Sequence, residues 1–191
     1  MTMIKTMPVL CITFVLTLLC FNLVGQNSAT NTLSLGMPEV SLLRAASSAT
    51  INLTLSPQVA GRSVSESITN SNTKLLFSSV IGAADRTLKA QVTTGAIPAG
   101  TVLKLLALAP IGNQVGDVGD ISAEITLTSG GGSVAQNIIT GIGSCYSGVD
   151  AGDGWGIQYT YALETTTENY ANIRATEGAQ VVVTLTLTAV N

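Results

Sequence analysis

Four of the eleven acidic residues sit in two glycine-rich segments, Asp117 and Asp120 in GDVGD and Asp150 and Asp153 in VDAGDG. Carboxylates in such loops, joined by neighbouring carbonyls, can supply the about six to eight oxygens that calcium takes. Two of them facing each other across a cleft could instead serve as the acid and base of a glycosidase. Neither chemistry is spelled out. The D-x-[DN]-x-[DN]-G spacing of an EF-hand is absent, and nothing in the spacing separates one carboxyl pKa from another. Asp and Gly are also ordinary turn residues. The expectation is no resident metal and no cofactor, with Asp117, Asp120, Asp150 and Asp153 as the calcium alternative.

Aromatic residues cluster in the same stretch. Of the six beyond residue 25, five lie between 146 and 170, and only Phe77 lies elsewhere. Rings on a surface stack on sugar faces, so Tyr146, Trp155 and Tyr170 are the candidate glycan platform, with Asp150 and Asp153 beside them as acceptors. Tyr159 and Tyr161 share a phase with Ile157 and Leu163, which is the pattern of core rings. Cys145, in GIGSCYSG, reads as a small buried apolar group.

The chain of 191 residues has no histidine, which excludes Ser-His-Asp and Cys-His machinery and imidazole metal sites. There is no GxxxxGK[ST], no GxGxxG between strand and helix, no GxSxG and no CxxC. No residue qualifies as catalytic, and the expectation is a protein that is not an enzyme. With eight basic residues and a net charge of −3, it is also a poor partner for nucleic acid.

Residues 1–25 carry one basic residue, Lys5, then an apolar run from Met7 to Val24 and a small residue, Gly25, before Gln26. That is the layout of a secretory signal peptide. A retained anchor is the alternative, and lipidation at Cys20 is opposed by Leu19. The expectation is a single domain over 26–191, secreted or at the cell surface and free of the membrane once the leader is cut. Cys11 and Cys20 would leave with the leader, so Cys145 would have no partner for a disulfide.

Beyond residue 25 the dominant period is two, which places alternate side chains on one face of a strand. Thr50–Ser56, Arg86–Thr94, Ile121–Thr128, Gly156–Glu164 and Gln180–Val190 alternate clearly. Less regular apolar runs occupy 39–44, 73–80, 102–109 and 134–140. Gly130–Gly132 reads as a hairpin turn between neighbouring strands. Thr165-x-x-Glu168 could cap a single helical turn. Asn52-Leu-Thr54 is a formal glycosylation sequon inside the expected strand 50–56. Short strands between Gly and Pro turns predict an all-β fold, an antiparallel β-sandwich of the Ig-like or pilin-like kind with seven to ten strands.

The segments LSLGMPEVSLLRA (33–45), LTLSPQVAGRSV (53–64), NTKLLFSSVIG (72–82), TTGAIPAGTVLKLLA (93–107) and IITGIGSCYSG (138–148), with the Thr/Val-rich final strand, resemble secreted β-sandwich proteins of Gram-negative bacteria, similar in pattern to fimbrial or pilus-subunit domains. The chain departs from chaperone-usher pilins in having one cysteine beyond the leader and in ending Val190-Asn191 without a penultimate Tyr. It also lacks a basic C-terminal ending. The resemblance implies surface or extracellular life. In such a protein an exposed strand pairs with a neighbouring copy, either Asn27–Met37, with Leu33, Leu35 and Met37 as the assembly strand that enters the neighbour, or the terminal Gln180–Val190, giving a homopolymer or adhesive layer. Asn27–Met37 could instead be the first strand of its own sandwich. A carbohydrate-binding module using the aromatic loop is the alternative function.

Overall fold

Alternating burial organises the chain into strands. The computed structural model describes residues 28–46, 50–56, 59–64, 66–164, 170–176 and 178–189. The expected leader 1–25 and the expected capping box at Thr165 and Glu168 lie outside the described residues. Contacts divide the chain into two units, Met1–Met37 and Pro38–Asn191. In the first, residues 28–37 form no strand.

The second unit holds β1 (Val40–Ala45), β2 (Ser67–Val80), β3 (Arg86–Thr94), β4 (Thr101–Ile111), β5 (Val115–Gly116), β6 (Asp120–Ile121), β7 (Ile125–Leu127), β8 (Gln136–Ile142), β9 (Cys145–Tyr146), β10 (Gly154–Leu163) and β11 (Val182–Ala189). They make two antiparallel sheets packed as a β-sandwich. The larger runs β5-β9-β2-β10-β4-β7, with β1 also on β2, and the smaller runs β11-β3-β8-β6. Among the described residues there are thus eleven strands where seven to ten were expected. The surplus comes from β5, β6, β7 and β9, each of only two or three residues. Ladders that short leave no period to read.

The core lies between the sheets. Leu75 and Phe77 of β2, Leu103 and Leu105 of β4, and Trp155 and Ile157 of β10 meet Leu88, Ala90 and Val92 of β3 and Ile138, Ile139 and Ile142 of β8. Burying each large aliphatic side chain here contributes about 1.5–3 kcal/mol. β3 is central because β11 and β8 flank it, and its register to β11 sets Val92, Ala90 and Leu88 opposite Val183, Leu185 and Leu187. At the start of β3 the buried guanidinium of Arg86 reaches Glu39 at 3.1 Å and the Val80 carbonyl at 3.4 Å.

Three expectations are corrected. Thr50–Ser56 keeps its alternation, with Ile51, Leu53 and Leu55 half-buried between exposed Asn52, Thr54 and Ser56, yet it joins no sheet. Ile51 and Leu53 rest on the core. Strand pairing therefore does not shield the sequon at Asn52. The run Ile121–Thr128 is not one strand: β6 belongs to the smaller sheet and β7 to the larger. The chain changes sheet across Ser122–Glu124, where the Ser122 amide donates to the Ile138 carbonyl at 3.0 Å. Gly130–Gly132 is no hairpin either. It forms a 3-10 turn between β7 and β8, which lie in different sheets, closed by the Ser133 amide on the Gly130 carbonyl at 3.1 Å.

Candidate functional site

The two aspartate loops are neighbours. β5 pairs with β9 through Val115 with Tyr146 and Gly116 with Cys145, and Ile111 stands opposite Gly154. Gly112 has φ +86°, and a Cβ there would overlap the Asp153 carboxylate, so glycine is what allows the loops to close on each other.

Within this corner the carboxylates serve the backbone. Oδ2 of Asp153 accepts from the amides of Val149 and Asp150, both at 3.2 Å, and the Asp153 amide donates to the Asp150 carbonyl at 3.0 Å. Oδ1 of Asp117 accepts from the Gly119 amide at 3.2 Å, and its carbonyl accepts from the Gly143 amide at 2.9 Å. Asp120 opens β6 opposite Thr140. The bonds to the Asp153 and Asp117 carboxylates are the side-chain-to-backbone bonds that Asp makes in turns. Among the described residues no three acidic or cysteine side chains are grouped to hold a metal ion, so the calcium alternative at Asp117, Asp120, Asp150 and Asp153 finds no cluster.

Cys145 is buried on β9. Burial first, and the negative charge of Asp117 second, push its thiol up to about 11. At neutral pH it is protonated and a poor nucleophile. Burial also raises the Tyr159 phenol.

The three-ring glycan platform is corrected. Trp155 is 2% exposed, in the core opposite Leu75, and has no face to offer a sugar. It shares the inward phase of Ile157 and Tyr159, and β10 begins early enough to include it. Tyr146 and Tyr170 are 45% and 44% exposed. They are far apart: Tyr146 pairs with Ser78 near the end of β2, whereas the Tyr170 hydroxyl accepts from the Val64 amide, before β2 begins. Eleven residue steps of strand separate Ser67 from Ser78, about 35 Å at strand rise.

Leu33, Leu35 and Met37 of the candidate assembly strand are 77%, 89% and 82% exposed. The reading of this segment as the first strand of its own sandwich is not met, since residues 28–39 form no strand. Sequence reasoning also missed that residues 51–55, among the described residues, carry no backbone hydrogen bond. Their strict alternation signalled a strand and gave no hint that it would be unpaired.

No family model, curated protein or solved structure matches this chain.

Proposed function

We propose that this is a secreted, non-enzymatic structural protein that assembles by β-strand edge association into an extracellular filament or adhesive surface layer, in the manner of a fimbrial subunit. One observation carries the reading. Three apolar side chains at period two, Leu33, Leu35 and Met37, are held out in solvent on a segment that forms no strand. A lone exposed Leu is unremarkable, but three in strand phase form one face of a strand whose partner is elsewhere. A neighbouring copy offers such a partner, because unpaired backbone is a template for strand addition. The backbone of residues 51–55, unbonded among the described residues, is one such template.

The leader-like residues 1–25 support export, and a chain without histidine, in which the Asp117 and Asp153 carboxylates are taken up by turn amides, supports a structural role. The test is electron microscopy of the secreted protein beside the variant lacking residues 26–37. Ordered fibres from the whole chain and dispersed, folded particles from the deletion are expected. Fibres that persist without the arm, or no assembly at any concentration, would overturn the reading.

A further inference from the structure

The open edges of the sandwich are not equally protected. In the larger sheet β1 carries Arg44, β5 has two residues, and β7 has three and follows Glu124. In the smaller sheet β6 has two residues and opens with Asp120. Short length and charge are how natural sheets blunt an edge. β11 has neither. It runs eight residues, VVTLTLTA, without a charge or proline, and among the described residues only β3 pairs with it. Its inward row Val183, Leu185 and Leu187 is only half-buried, although the β3 residues opposite, Val92, Ala90 and Leu88, are buried. The core is left thin along this one side.

We propose that β11 pairs antiparallel with β11 of a second copy about a two-fold axis, joining the two smaller sheets into one continuous sheet. The strand is self-complementary. With the axis at Leu185, Thr184 faces the partner copy's Thr186 and Val183 faces its Leu187. With the axis at Thr186, Leu185 faces Leu187 and Thr184 faces Thr188. Either way threonines meet threonines on the outer face next to the axis and aliphatics meet aliphatics inside, both favourable cross-strand pairings, with Val182 facing Thr188 at the strand end in the first register. Threonine pairing of this kind already exists on the other side of β11, where the Thr93 and Thr184 hydroxyls lie 2.8 Å apart. A charge near the axis would face its own copy across the pair, and β11 carries none. The contact is isologous and closes on itself, unlike the open head-to-tail contact of the arm, so it stands whether or not the arm assembles.

Single cysteines at Leu185 and Thr186, the two positions that can lie on the axis, in the secreted chain test the pairing, because a two-fold contact lets one position crosslink to itself. Buried Cys145 leaves the wild type as the uncrosslinked control. Mild oxidation is expected to give covalent dimers from at least one variant, equally in the chain lacking residues 26–37. Sedimentation is expected to give twice the monomer mass for that arm-less chain, and the monomer mass for the same chain carrying Thr186→Lys, with the β-sheet circular dichroism unchanged. A monomeric arm-less chain, or crosslinks that form only when the second cysteine stands at Leu35, would overturn the proposal and make β11 at most the arm's acceptor. Fibres that survive such a result would leave the arm reading standing. Should Thr186→Lys fail to fold, the cysteine scan still decides.

Discussion

Residues 50–56 and 86–94 carry the same alternation of apolar and polar side chains, and only the second is a ladder strand. In β3, Leu88, Ala90 and Val92 are buried, and both backbone edges are bonded, to β11 and to β8. In 50–56, Ile51 and Leu53 rest on the same core from an extended segment whose residues 51–55 make no backbone bond among the described residues. Alternation therefore reports which side of a segment faces the interior. Whether the backbone is paired depends on what the topology brings alongside.

Proline separates the two regions most sharply. Lys89→Pro removes a donor between β11 and β8 and is expected to cost about 3 kcal/mol or more, whereas Asn52→Pro, with no backbone bond to lose among the described residues, should cost under about 1 kcal/mol by urea denaturation. Equal losses would show that 50–56 is paired in solution. Truncation comes next. Leu88→Ala, at a fully buried site, is expected to lose about 3 kcal/mol, and half-buried Leu53→Ala about 1 kcal/mol, in the same assay. The smallest contrast lies on the outer faces. Thr93→Ala gives up its hydroxyl contact with Thr184 and should cost about 0.5 kcal/mol, while Thr54→Ala, which loses no partner among the described residues, should be neutral within error.

Much of the sandwich was legible in the sequence. The bounds of β3 coincide with the expected strand, and β1, β4, β8, β10 and β11 fall within a few residues of theirs. The first half of β2 was not, because Ser67–Asn72, SITNSN, has almost no apolar row and is strand only by pairing with β10. The break between Ile121 and Ile125 was hidden for the opposite reason: an unbroken alternation runs across a change of sheet. Trp155 could have been placed inside from its phase with Ile157, had the strand been extended two residues toward Gly154. The contact of the loops around Gly112 and Asp153 is a product of tertiary closure that local spacing does not record.

The pairing of β3 with β11 also has a consequence in time. The two strands lie about 90 residues apart in the chain, so a ribosome finishes the first roughly 5–20 s before the second exists. During that interval Leu88, Ala90 and Val92 sit on a strand with both flanks missing until β8 is made, and then with one missing until β11 is made. A nascent chain in this condition needs either a slow approach to its final shape or a companion that shields the vacant flank until the last strand arrives.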